Sequence, residues 1–155
     1  MAETQTPAAP VVRTVRTEWK GRLRSTAQVR DCAPFTIDEP PNRGGLFESP
    51  TPAEYTLAAV TGCAAAHVEM FAQEVGMPLA GCRIDGRLEM VPVRTPEEGG
   101  GGGVRRIELD LVLTSSGTEA QLKKVQELLR TRCVLYRFAQ AATEVVDRWT
   151  LAAPR

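Results

Sequence analysis

The stretch SPTPAEYTLAAVTGCAAAHVEMFAQEVG, residues 49–76, predicts one long helix at the centre of the fold. Thr51, Pro52 and Glu54 make a well-marked start, because threonine caps a helix, proline suits the first position and the glutamate completes a capping box. The helix should run to about Val75, since glycine follows. Small and apolar residues occupy most positions, so the helix should be buried on most sides.

The segments around this helix predict strands. Residues 11–20 and 22–31 alternate roughly in polarity and predict a strand pair, followed by a short strand at 35–37 and a loop rich in proline and glycine. Residues 82–90 and 104–114 alternate more strictly and predict an antiparallel hairpin across a flexible glycine-rich connection. The positions predicted to face inward are Cys82, Ile84, Gly86, Leu88, Met90, Ile107, Leu109, Leu111 and Leu113.

The last third of the chain predicts helix followed by strand. Thr118 and Gln121 form a second capping box, and the helix should continue to about Ala142, either unbroken or with a break near Cys133. Residues 143–151 predict a closing strand. The element order indicates an α+β fold with antiparallel sheet. One helical face should be buried: Leu122, Val125, Leu129 and Cys133.

Length and charge exclude several classes of protein. The 155 residues suit one domain, predicted over 11–155 after a disordered lead at 1–10. Lysine plus arginine equals aspartate plus glutamate at 19 each, so no electrostatic footprint for nucleic acid or an anionic membrane is expected. The longest apolar stretch, 55–68, is too short to span a bilayer. We expect a cytoplasmic protein.

Cysteine is the residue type that suggests chemistry. Cys32, Cys63, Cys82 and Cys133 have no zinc-site spacing, so neither a metal nor another cofactor is predicted. Cys63 is either a small core residue or a reactive thiolate. A thiolate needs help, because burial raises a thiol pKa and the helix start lies twelve residues away, beyond the reach of its dipole. A cation must come from elsewhere.

Four segments together carry a resemblance to a known family: DEPPNRGG, PTPAEYTLAAVTGC, MPLAGCRIDGRLEM and SSGTEAQLKKVQELLRTRC. They resemble the osmotically inducible protein C and organic hydroperoxide resistance proteins, OsmC/Ohr, over residues 13–151. The resemblance implies an OsmC-like intertwined homodimer, with antiparallel sheets packed on long central helices and active sites at the subunit interface. It also implies a stress-response peroxidase: Cys63 would attack an organic hydroperoxide, Cys133 would resolve it as a disulfide, and an external dithiol would restore both.

The resemblance also nominates a cation and an acid. Arg43 precedes Cys63 by twenty positions, which matches the catalytic arginine of the best-known members, and Arg30 is the alternative. Those members have a glutamate where this chain has Ala53, so no acid is expected to hold Arg43 there. Glu54 matches the PTPxE pattern of a broader branch, and it is either catalytic or only a capping residue.

Two departures keep a second function open. The usual proline after the second cysteine is absent in CVLYR, and the sequence does not establish that Cys63 and Cys133 meet. The alternative is therefore a dimeric binding protein for an apolar small molecule, with little or no peroxidase activity. His67, Cys32 and Cys82 are interpreted as packing residues rather than catalytic ones.

Overall fold

The computed structural model describes residues 9–91 and 102–154. Most of the predicted N-terminal lead and of the glycine-rich connection lies outside these residues. The chain forms two compact units, residues 1–52 and 53–155, which are described in turn. The elements are β1 (Arg16–Gly21), β2 (Arg24–Gln28), β3 (Phe35–Ile37), a 3-10 turn (Pro41–Arg43), α1 (Pro52–Glu74), β4 (Leu79–Val91), β5 (Gly103–Ser115), α2 (Glu119–Arg132), α3 (Val134–Ala142) and β6 (Glu144–Ala152).

The first unit is a small antiparallel sheet in the order β1-β2-β3. Thr17 pairs with Ala27 and Thr26 pairs with Thr36, which confirms the predicted strand pair and the short third strand. The strands are shorter than predicted. The chain then enters the loop that leads to α1.

The second unit contains a three-stranded sheet in the order β4-β5-β6. The predicted hairpin is confirmed, since β4 and β5 pair antiparallel with Ile84 opposite Leu111 and Gly86 opposite Leu109. The four inward residues of the central strand β5 are at most 3% exposed. On β4, Cys82 and Met90 share the inward parity but are exposed, because β4 is an edge strand.

The last strand corrects part of the prediction. The α+β class is confirmed, but the sheet is mixed, because β6 pairs with β5 in parallel from Arg106 opposite Glu144 to Thr114 opposite Ala152. A parallel pair needs a long crossover, and here α2 and α3 return the chain to the starting end of β5. The sequence pattern of β6 predicts a strand but carries no information on its direction.

One face of α1 packs on the sheet. Gly86 allows the close approach: a Cβ there would lie 2.8 Å from the Thr61 methyl and 3.0 Å from a Leu57 methyl. Within one chain, burial on most sides is not observed, because the opposite face is exposed. The buried residues are Val60, Ala64, Val68, Phe71 and Ala72, and the exposed face comprises Ala59, Gly62, Ala66 and Met70. Despite its 23 residues, neither α1 nor another helix in the described part of the chain combines the length and apolar character needed to cross a membrane.

Asp147 connects β6 to the two C-terminal helices. Its side chain is 6% exposed, pairs with Arg130 at 3.0 Å, and accepts hydrogen bonds from the Tyr136 hydroxyl at 2.9 Å and from the Trp149 indole. Burial alone would raise the pKa of Asp147, but the bonds from Trp149, Arg130 and Tyr136 outweigh burial and lower it. The carboxylate is thus stabilised in the folded state.

We expect Asp147→Asn to destabilise the protein by about 2 kcal/mol at pH 7, because charge-assisted bonds to a buried group are lost. The pKa of Asp147 is lower in the folded protein than in the unfolded chain, where it is about 3.9, so the ionised side chain stabilises the fold at pH values above the unfolded-state pKa. This stabilisation is lost as the pH falls through the folded-state pKa. The difference between wild type and variant should therefore shrink below about pH 4. Urea unfolding at pH 7 and pH 3 measures it.

Asp110→Asn is the matched control, because Asp110 pairs with Arg148 but is 51% exposed. Its substitution should destabilise the protein much less than Asp147→Asn does, because solvent screens an exposed ion pair. Equal losses in the two variants, or a loss for Asp147→Asn that does not change with pH, would contradict this account of β6.

Candidate active site

The two cysteines that the sequence nominated meet in the second unit. Cys63 projects from α1 and Cys133 lies between α2 and α3, and their sulfurs are 3.6 Å apart. Both are free thiols. The sequence left this contact open, and the structure supplies it. A covalent bond between them would require a further approach to about 2.05 Å.

The helix break at Cys133 positions the second thiol. Cys133 has extended backbone angles, φ −71° and ψ 119°, ends α2 and begins α3. The break exists without the proline whose absence put it in doubt. Cys133 also lies on the predicted apolar face, with Leu122, Val125 and Leu129, and is completely buried. Cys133 is therefore both buried in the core and located at a break in the helical backbone.

Burial also fixes the protonation state of Cys133. It raises the pKa of this thiol to about 11, and the neighbouring Cys63 sulfur acts in the same direction. Backbone amides of Tyr136 and Leu135, at the start of α3, oppose the rise without cancelling it. Cys133 therefore remains protonated near neutral pH and can supply a proton within the pair.

His67 is a third member of the site, which the sequence analysis assigned to packing. Its Nδ1 lies 2.8 Å from the Cys63 carbonyl oxygen and 3.5 Å from the Cys63 sulfur. A carbonyl oxygen only accepts hydrogen bonds, so Nδ1 carries the proton in this arrangement. The nitrogen nearest the sulfur is then a hydrogen-bond donor and not an available general base. The four-residue spacing on one helix was the available signal.

An aromatic and ionic contact joins α1 to the end of α2 beside the thiols. The rings of His67 and Phe71 lie 5.5 Å apart, and the Arg132 guanidinium lies 5.0 Å from the centre of the Phe71 ring. Arg132 also donates to both oxygens of Glu74, at 2.7 and 2.8 Å. Because Arg132 directly precedes Cys133, this contact holds the second thiol near α1. Sequence reasoning did not identify it.

The loop that carries Arg43 lies in the first unit and is organised by Asp38. This fully buried carboxylate accepts backbone hydrogen bonds from Glu39 at 2.8 Å, Leu46 at 3.2 Å and Glu48 at 3.1 Å. Burial opposes ionisation, but these bonds keep the pKa of Asp38 below its ordinary value. Gly45 is required here, since a Cβ would overlap the Glu39 carbonyl. Asp38 therefore shapes the loop.

Arg43 has an acidic partner that the sequence analysis did not foresee. Its guanidinium pairs with Glu39, four residues earlier, at 3.2 Å, and its side chain is half exposed. Glu39 is therefore an acidic partner of Arg43 within the first unit, whereas the alanine at position 53 cannot form an ion pair. The alternative arginine, Arg30, lies 3.7 Å from the Cys32 sulfur within the same unit.

Glu54 is exposed in the first turn of α1. It precedes Cys63 by nine residues, which corresponds to about 13.5 Å along the axis and two and a half helical turns. The two side chains therefore leave opposite sides of the helix. Within one chain, the structure does not bring Glu54 to the thiol pair.

Comparison with known proteins gives a consistent family assignment. Residues 44–146 match the family model described as OsmC-like protein. The fold is similar to the OsmC-like protein of Mycoplasma pneumoniae, with a TM-score of 0.79 and 17% identity over 93% of this chain and 99% of that one. No curated protein matches the sequence.

Two further similar folds belong to organic hydroperoxide resistance proteins. The Legionella pneumophila protein has a TM-score of 0.68 and 16% identity over 94% of this chain and 99% of its own. OhrB of Bacillus subtilis has a TM-score of 0.66 and 15% identity over 90% and 98%. At these identities the likeness is one of fold.

Proposed function

The chain belongs to the OsmC-like protein family, and we propose that it is a thiol peroxidase that reduces organic hydroperoxides. The observation that carries the proposal is the 3.6 Å contact between the Cys63 and Cys133 sulfurs. A half-buried thiol beside a fully buried one provides an attacking sulfur that a substrate can reach and a second sulfur kept behind it. Similar folds in hydroperoxide resistance proteins support the substrate class.

The reaction has two steps on the protein. The Cys63 thiolate attacks a peroxide oxygen, the O–O bond breaks, and the departing alkoxide takes a proton to become an alcohol, which leaves Cys63 as a sulfenic acid. The Cys133 sulfur then attacks the Cys63 sulfur, a disulfide forms and water leaves with the Cys133 proton. An external dithiol returns both electrons by exchange. The cytoplasmic location predicted from the sequence would provide such reductants.

The thiolate needs donors, and we assign two. His67 Nδ1–H, 3.5 Å from the sulfur, can shift towards it when Cys63 ionises. Arg43, held by Glu39, would add a full positive charge. The Glu54 carboxylate would help to hold the Arg43 guanidinium in place.

The exposed face of α1 supports a homodimer. Its small side chains, with Gly62 open to solvent, would let a second helix approach closely. Cys63 lies at the border between this face and the buried one, so a second copy would cover it and complete the site. Because Glu54 points away from its own Cys63, we propose that Arg43 and Glu54 serve the thiol of the partner chain.

Cys63→Ser should abolish consumption of cumene hydroperoxide with a dithiol as reductant, since the hydroxyl is a far weaker nucleophile than a thiolate. Cys82→Ser is the matched control, because Cys82 is exposed on β4 outside the pair, and its rate should stay within about twofold. Stopped-flow peroxide assays measure both. Equal rates in the two variants would refute the peroxidase and favour a binding protein.

A heterodimer tests whether the site crosses the interface. Arg43→Met should slow peroxide consumption about tenfold at pH 7, because the charge-assisted hydrogen bond proposed to stabilise the attacking thiolate is lost. A purified heterodimer of one Cys63→Ser chain and one Arg43→Met chain has one intact site if Arg43 acts across the interface. We expect about half the wild-type rate.

The control for this experiment is the Arg30→Met homodimer, which should retain its rate if Arg43 is the cation that serves Cys63. Sedimentation checks that each sample is a dimer. A heterodimer with about half the rate of the Arg43→Met homodimer would place Arg43 and Cys63 in the same chain, because only one of its two sites would keep a thiol and that site would lack the arginine. A monomeric wild type at micromolar concentration would exclude the interface site.

A further inference from the structure

The reduced thiol pair and His67 form a cluster that suits a metal ion. We propose that Cys63, His67 and Cys133 bind one Zn²⁺ per chain when both cysteines are reduced. One ligand atom from each residue lies within 4.8 Å of the other two. Cys63 and His67 come from consecutive turns of α1, and Cys133 comes from the break between α2 and α3. The three ligands thus reach one point from two separate elements.

The distances agree with tetrahedral zinc. Bonds of about 2.3 Å to sulfur and about 2.05 Å to nitrogen place two sulfurs about 3.8 Å apart and a sulfur about 3.6 Å from a nitrogen. The observed separations are 3.6 Å between the sulfurs and 3.5 Å between the Cys63 sulfur and His67 Nδ1. These two separations therefore already suit the ion. The third, between the Cys133 sulfur and His67, lies within 4.8 Å, so closing the site requires the His67 ring to rotate.

The donor set favours zinc over harder ions. Two thiolates and one imidazole are soft or borderline ligands, whereas magnesium and calcium prefer oxygen. The two thiolate charges balance the divalent ion, so the half-buried site would carry no net charge. Three protein ligands leave a fourth coordination position for water, as in catalytic zinc sites.

Binding requires a defined proton rearrangement. Cys63 and Cys133 each lose their thiol proton to solvent, if still protonated, because the thiolate is the ligand. His67 now uses Nδ1–H to bond the Cys63 carbonyl, so ligation through Nδ1 moves the ring proton to Nε2 and turns the ring from that oxygen. The single hydrogen bond lost is small beside two metal–thiolate bonds.

The site would exclude peroxide chemistry while it is filled. Zinc would coordinate both the Cys63 sulfur that attacks the peroxide and the Cys133 sulfur that forms the disulfide. Disulfide formation would remove both thiolates and release the ion. This consequence rests on the proposed peroxidase function, whereas metal binding itself does not. The cysteine spacings alone did not predict a metal. Cys63 and His67 provide two ligands on α1, and Cys133 joins them only because the fold brings its sulfur to that of Cys63.

The test is zinc binding to reduced full-length protein in competition with a chromogenic chelator, with Co²⁺ as a spectroscopic probe. We expect one Zn²⁺ per chain, and Co²⁺ should give thiolate charge-transfer absorption and the strong visible bands of tetrahedral coordination. Cys63→Ser should weaken zinc binding by more than about a hundredfold and His67→Gln by at least about tenfold. The exposed-thiol controls Cys32→Ser and Cys82→Ser should bind like wild type.

Three results would overturn the proposal: no zinc bound in competition with the chelator, unchanged affinity in Cys63→Ser, or a Co²⁺ spectrum unaffected by His67→Gln. Circular dichroism confirms that each variant is folded. Zinc binding by a wild type that consumes no hydroperoxide would refute the peroxidase function and leave the metal site standing. Peroxide consumption without zinc binding would do the reverse.

Discussion

The packing of α1 against the end of α2 is the constraint on which the site depends. Val68 and Phe71 of α1 belong to the same buried core as Leu129 of α2. The ion pair between Arg132 and Glu74 joins the C-terminal ends of the two helices, and Arg132 directly precedes Cys133. Each contact is modest alone, since that ion pair is about half exposed, but together they fix the position of a side chain seventy residues from Cys63.

This packing also makes the two thiols chemically different. Cys133 is enclosed by the core, where the charged form is costly and the proton is retained. Cys63 lies at the border of an exposed helix face beside a histidine that can donate to it. An asymmetric pair suits both proposals, because one accessible sulfur can meet a peroxide or an ion first and the second can follow.

Sequence reasoning recovered the features that depend on local pattern. The capping box at Thr118 and the inward residues of β5 were correct, because helix caps and strand parity are set by neighbours in the chain. The direction of β6 and the partnership of Arg43 with Glu39 were not recovered, and the break at Cys133 was only one of two alternatives that the sequence left open. Each depends on tertiary contacts or on a loop whose shape is set by a buried carboxylate.

If Cys63 and Cys133 act as one redox pair, as we propose, peroxide must change the covalent state of both sulfurs. A reduced Cys32→Ser/Cys82→Ser double variant is treated with one equivalent of cumene hydroperoxide and mapped by mass spectrometry of non-reduced peptides. We expect the loss of two thiols per peroxide and a disulfide joining Cys63 to Cys133 within one chain. Oxidation that stops on Cys63, or thiols that survive unchanged, would contradict the proposed redox pair.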